Sequence, residues 1–122
     1  MNLFDASALL AYVNDEPGGD VVERELQEPG AVSAANWSEI AQKVLAAGGD
    51  WPVARAVLLS YDLAVEPVLA ADGELAATSW RRGSGLSLAD RLCLATGERL
   101  AATVWTADAA WGSGGAVRQV RR

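Results

Sequence analysis

Asp5, Glu39, Asp90 and Asp108 are the side chains with which this chain could do chemistry, because two of them end strand-like runs and two fall in the first turns of helical patterns. Asp5 follows "NLF" directly and is followed at once by a second apolar stretch, "ASALLAYV". A strand that ends there and turns straight into a helix puts its carboxylate at the strand's carboxyl end. Asp108 stands likewise after "TVWTA". Asp90 lies three residues after Ser87, and Glu39 three after Asn36, in patterns that open helices. Carboxylates that crowd together repel, and raise one another's pKa, unless a cation neutralises them. Four of them in one place would suit a hard divalent ion.

Each acid also has an ordinary explanation. "S-L-A-D" at 87–90 and "N-W-S-E" at 36–39 both fit a capping box, in which the acid returns a hydrogen bond to the capping backbone N–H. Asp5 and Asp108 fit simple caps of the segments that follow them. Ser7, in D-x-S, and Thr106, in T-x-D, offer hydroxyls that can orient the neighbouring aspartate, or serve as plain turn hydroxyls.

The chain has no histidine. That excludes Ser-His-Asp and Cys-His catalysis, histidine-pair nucleases and HExxH metalloproteases. Acid–base or metal chemistry must then come from carboxylates and oxygen ligands, which favour Mg²⁺ or Mn²⁺ over zinc. The single cysteine, Cys93, sits in the apolar run "LADRLCLATGERL" and reads as a buried bystander, with no disulfide and no multi-cysteine zinc site within the chain. The net charge of −6 is carried by residues 1–61, with nine acids against three bases, while residues 62–122 hold seven of each. So acidic a chain is no general nucleic-acid coat. The bases cluster as Arg81–Arg82 and as Arg118, Arg121 and Arg122, each cluster either solvated surface or a local patch for a nucleic-acid backbone.

These residues need elements to position them. With 51% hydrophobic and 21% charged residues in 122, the composition calls for one compact domain spanning 1–122 rather than a disordered chain. No apolar stretch reaches the ~18 residues of a membrane span, and no basic segment precedes an apolar one at the start, so a cytoplasmic protein is the expectation. Strand and helix signals alternate throughout. "NLF" (2–4), "AVSA" (31–34), "LAVEPV" (63–68), "ATVWTAD" (102–108) and "AVRQV" (116–120) read as strands. Helical patterns fall at 7–14, 20–27, 36–49, 51–62, 69–82 and 87–100, with Gly- and Pro-rich breaks between several of them. Short strands separated by helices predict an α/β fold, a three-layer α/β/α sandwich on a central parallel sheet of about five short strands. In such a sheet, ligands bind beyond the carboxyl ends of the strands. If the first and fourth strands are neighbours, all four acids can converge on one pocket there.

"LFDASALLAYVNDEPG", "NWSEIAQKV", "LSLADRLCLATGERL" and "VWTADAAW" resemble, in order and spacing, the signature blocks of PIN-domain nucleases, and of VapC-type toxins in particular. The resemblance runs from residue 2 to about residue 111. It implies an endoribonuclease that uses Mg²⁺ or Mn²⁺, with Asp5, Glu39, Asp90 and Asp108 at the family's four acidic, metal-binding and catalytic positions. It implies a structured RNA substrate (tRNA or rRNA), a cognate antitoxin with a segment in the active-site groove, and a homodimer. One departure is that "GSGG" makes a short flexible link after Trp111, where such toxins often carry more helix before the last strand.

Competing folds fail on named residues. Receiver domains need a lysine at the end of a late strand, and the only lysine is Lys43, inside the Glu39 helix. Haloacid-dehalogenase phosphatases need an aspartate where Ser7 stands, and no P-loop run exists. The remaining alternative is a PIN-like binding module that cleaves nothing. Five tryptophans are many for so small a core. Trp37, Trp80 and Trp111 are therefore candidates for a dimer or antitoxin interface, unless all five pack inside.

Overall fold

The computed structural model describes residues 1–121, so Arg122 lies outside the described residues. Five strands form one sheet in the order β3-β2-β1-β4-β5, every neighbouring pair parallel. They are β1 (Asn2–Phe4), β2 (Gly30–Ser33), β3 (Leu63–Glu66), β4 (Thr103–Thr106) and β5 (Val117–Gln119). The helices are α1 (Ala6–Val13), α2 (Gly19–Glu25), α3 (Ala34–Ala46), α4 (Trp51–Leu59), α5 (Ala70–Thr78) and α6 (Leu88–Leu100), with a 3-10 turn at Ala109–Trp111.

Alternation along the strands sorts the core into two faces. Phe4, Val32 and Leu63 pack with Leu9, Val22, Ile40 and Leu58 of α1 to α4. Leu3, Ala31 and Val104 point the other way and pack with Cys93 of α6. This is the expected α/β/α arrangement, with a thinner second layer. α6 lies close on the sheet at Gly97, where an added Cβ would stand 2.6 Å from Val104 Cγ2. Among the described residues no helix is long and apolar enough to cross a membrane.

Two segments differ from expectation. The helical pattern at 69–82 ends at Thr78, because side chains take up the carbonyls of its last turn. Ser79 donates to Ala76 O, and Arg81 Nη1 to Thr78 O and Trp80 O. The "GSGG" link is held rather than loose. Gln119 Nε2 donates to Asp108 O at 2.9 Å and to Gly112 O at 2.7 Å, so β5 ties down the segment that leads away from Asp108.

Candidate active site

β1 lies between β2 and β4, in register with Phe4 opposite Trp105. The chain moves outward from β1 to β2 and β3, then returns to β4 on β1's other side. The carboxyl ends of β1 and β4 therefore flank the sheet's topological switch point, where open α/β sheets bind ligands. Asp5 follows β1 immediately, and Asp108 stands two residues beyond β4.

Asp5 is 3% exposed and caps α1, its Oδ1 accepting from Ala8 N at 2.8 Å. Ser7 Oγ lies 2.8 and 2.9 Å from the two carboxylate oxygens, and Thr106 Oγ1 donates to Oδ2 at 2.5 Å. The two hydroxyl oxygens are 3.2 Å apart. Each has one proton to give and gives it to Asp5. As acceptors they serve the other strand's exit, Ser7 taking Ala107 N and Thr106 taking Asp108 N. Thr106 thus orients the Asp5 carboxylate and only the backbone of Asp108, whereas the T-x-D spacing suggested the Asp108 side chain. Burial pushes the Asp5 carboxyl up to about 6, against the Thr106, Ala8 and Ser7 hydrogen bonds that favour its charged form. The charge of Asp90 adds the smallest rise, so desolvation rather than crowding makes this carboxylate costly.

Asp90 is a true capping-box residue. Its Oδ2 accepts from Ser87 N, and Ser87 Oγ accepts from Asp90 N. Asp108 caps the 3-10 turn through Oδ1, which accepts from Ala110 N. Glu39 departs from its expected box. Ser33, the last residue of β2, caps α3 by accepting from Asn36 N, which places Glu39 in the second turn. Asn36 is fully buried; its Oδ1 accepts from Ser33 Oγ at 3.3 Å, and its Nδ2 donates to Glu39 Oε1 at 2.7 Å. A cap and a site wall are therefore the same carboxylate at Asp5, Asp90 and Asp108.

All four acids line one cleft of about 190 Å³, together with Ser7, Ser87 and Lys43. Glu39, Asp90 and Asp108 are each held by one oxygen, and the other makes no hydrogen bond among the described residues. Cys93 lies beneath, its thiol pushed well up by burial and then by the charges of Asp5, Asp90 and Glu39. It is the inert, buried cysteine expected. Among the described residues no three acids stand close enough to hold one ion at once. The donor set nonetheless fits Mg²⁺, which commonly takes one or two carboxylates and keeps several waters.

The other candidates separate. Trp80 is 52% exposed, with the Arg82 guanidinium 5.9 Å from its ring centroid. Trp37 instead packs edge-on against Trp51, and Trp111 packs against the second core. Arg118 bonds to Gly115 O and Val117 O, and Arg121 to Pro17 O, both local uses of surface arginine. Three residues escaped the sequence reading as parts of the site, Asn36, Lys43 and Ser87. For Lys43 a signal existed, its i+4 spacing from Glu39.

A PIN domain family model matches residues 3–113. The fold is similar to that in a toxin–antitoxin complex from Klebsiella pneumoniae, with a TM-score of 0.82 and 16% identity over 100% of this chain and 99% of that chain. It is also similar to Mycobacterium tuberculosis VapC20, a sarcin–ricin-loop-cleaving toxin, with a TM-score of 0.69 and 18% identity over 88% of each chain. No curated protein matches the chain. With the match spanning both sheet faces and every wall of the acidic cleft, the chain belongs to the PIN domain family.

Proposed function

We propose that this chain is a metal-dependent endoribonuclease, the toxin of a VapBC-type pair, which hydrolyses phosphodiester bonds in structured RNA and is neutralised by a cognate antitoxin. The observation that carries this reading is the cleft in which Asp5, Glu39, Asp90 and Asp108 meet, in a chain without histidine. Further support comes from the two structurally similar proteins, one in a toxin–antitoxin complex and one a toxin that cleaves the sarcin–ricin loop.

Mg²⁺ or Mn²⁺ bound here would supply charge to the scissile phosphate and activate water. The free oxygens of Glu39, Asp90 and Asp108 are the candidate ligands, one or two of them to an ion with water completing its shell, and Asp5 is the buried anchor. Asn36, Ser87 N and Ala110 N hold each of the three by its other oxygen, which fixes the direction in which the free oxygen faces the cleft. Ser7 and Thr106 hold the Asp5 charge against its burial. A buried carboxylate that costs stability at neutral pH is typical of functional sites. Arg82, stacked on Trp80, is the better candidate for the RNA backbone, because Arg81 is occupied with the end of α5. A homodimer and an antitoxin would find apolar surface in the exposed Leu45, Val53 and Val57 of α3 and α4. A cytoplasmic location accords with an RNA substrate of this kind.

The test is digestion of total bacterial RNA by the purified chain with Mg²⁺, with Mn²⁺ and with EDTA, beside Asp5→Asn. Cuts that need metal and vanish in the variant are expected. No cleavage by correctly folded protein with either metal would favour a PIN-like binding module instead.

A further inference from the structure

Lys43 is the chain's only lysine and, among the described residues, the only cationic side chain lining the acidic cleft. Four residues after Glu39, it shares that residue's face of α3, one turn further on. Helical side chains lean toward the helix N-terminus, so its stem runs back over the turn that carries Glu39. Yet among the described residues it makes no ion pair, and Glu39 takes its hydrogen bond from Asn36 instead. Lys43 is exposed. It also lines a wider groove of about 690 Å³ between α1, α3 and α4, with Tyr12, Val44, Val53 and Val57 among its walls. Lys43 therefore stands where groove and cleft meet.

We propose that Lys43 binds phosphate at the mouth of the cleft, holding the backbone of an RNA strand on the groove side of the four carboxylates. The ligand rests on the nuclease reading; the placement of the charge does not. An ammonium beside four carboxylates can pair with one of them or remain free for an incoming anion. Among the described residues no carboxylate pairs with Lys43, which fits the second state. An RNA strand that approaches this cleft meets like charge, and Lys43 is the side chain placed to offset it there. A lysine suits the task, because a point charge with three rotatable donors accepts a phosphate in several orientations.

The test follows binding of a fluorescein-labelled oligouridylate to the Asp5→Asn chain across salt concentrations, alone and with Lys43→Gln or Lys43→Arg added. Lys43→Gln should reduce the slope of log K against log[salt] by about 0.7, one phosphate contact on a single strand. Lys43→Arg should preserve it. Mn²⁺ affinity, measured by calorimetry with Asp5 intact, should not fall in Lys43→Gln, since a like charge has left the cleft. A slope unchanged by Lys43→Gln overturns the proposal, as does failure of the parent chain to bind the probe. A fall in Mn²⁺ affinity would make Lys43 a support for Glu39 and overturn it equally. The RNA digestion above decides catalysis separately. A chain that cuts nothing but loses salt slope in Lys43→Gln keeps the phosphate contact and loses the nuclease.

Discussion

Thr106, the last residue of β4, gives its hydroxyl proton to Oδ2 of Asp5, the first residue beyond β1, across 2.5 Å. The bond exists because β1 and β4 are parallel neighbours with Phe4 opposite Trp105, which brings the two strand exits side by side. It does two things at once. It stabilises a charge that burial opposes, and its oxygen accepts from Asp108 N, so one hydroxyl links the Asp5 carboxylate to the Asp108 backbone.

Replacing this hydroxyl tests that role. Thr106→Val keeps the shape and removes the proton, which leaves Oδ2 with a share of the Ser7 hydrogen bond. Metal affinity and RNA cleavage should fall by roughly 10- to 100-fold, the range for residues that orient ligands. The lost bond favoured the charged form, so the Asp5 carboxyl should titrate above its present value of about 6. The acid limb of the pH–rate profile should move the same way. An unshifted limb with reduced cleavage would mean that Thr106 acts only through Asp108.

Asp5 itself should make the metal-free protein less stable as pH rises from about 4 to about 6. Its folded pKa lies above the ordinary carboxylate value. In that window the unfolded chain has released the proton and the folded chain still holds it, so stability declines with rising pH. The loss by neutral pH is on the order of 3 kcal/mol for a shift of about two units. Urea unfolding in EDTA at several pH values should show the decline in the parent chain and its absence in Asp5→Asn. Added Mg²⁺ or Mn²⁺ should recover stability in the parent more than in the variant, by mass action on the folded state. Equal pH slopes in the two proteins would remove desolvation of Asp5 as the cause.

Asp5 was legible because a short strand-like run, "NLF", followed by a carboxylate and then an apolar run has few other interpretations. The capping boxes were harder. Ser33 and Asn36 are both residue types that cap helices, and the choice falls to where β2 ends. β2 runs into α3 with no linker, so Ser33 caps the helix, and Asn36 is freed to hold Glu39. Pairings across the sheet, such as Thr106 with Asp5, depend on register, which no window of sequence contains. The same holds for Asp72 and Arg99, which lie 27 residues apart.

The two arginines after α5 should behave differently. Arg81 donates to Thr78 O and Trp80 O, and so completes the end of the helix. Arg82 makes no ion pair among the described residues and lies over the exposed Trp80 ring. Arg82→Ala should therefore lower the salt slope of RNA binding by about 0.7, the value of one contact to a single strand. Arg81→Ala should leave the slope and lower the melting temperature. An unchanged slope in both variants would make this patch ordinary surface.

Asp72 and Arg99 should show the opposite pH sign to Asp5. Asp72 is 2% exposed and caps α5 by accepting from Leu69 N. Its oxygens also take Arg99 Nε at 2.9 Å and Nη2 at 3.1 Å, which clamps α5 to α6. The Arg99 hydrogen bond holds the Asp72 carboxyl below its usual range. A depressed carboxylate contributes stability above the ordinary pKa and loses it as pH falls through the folded one. Arg99→Met leaves a buried carboxylate without its counter-charge, and Asp72→Asn keeps an acceptor for Leu69 N. Arg99→Met should therefore be the more destabilising at pH 7, although Asp72 is the more buried partner. Its deficit relative to the parent should shrink as pH falls from the folded-state pKa of Asp72 in the variant to the lower one in the parent, because the unfolded chains titrate alike. Urea midpoints at pH 3, 5 and 7 decide the matter. A deficit of equal size at all three would assign the loss to Arg99's packing on α5 and not to its charge.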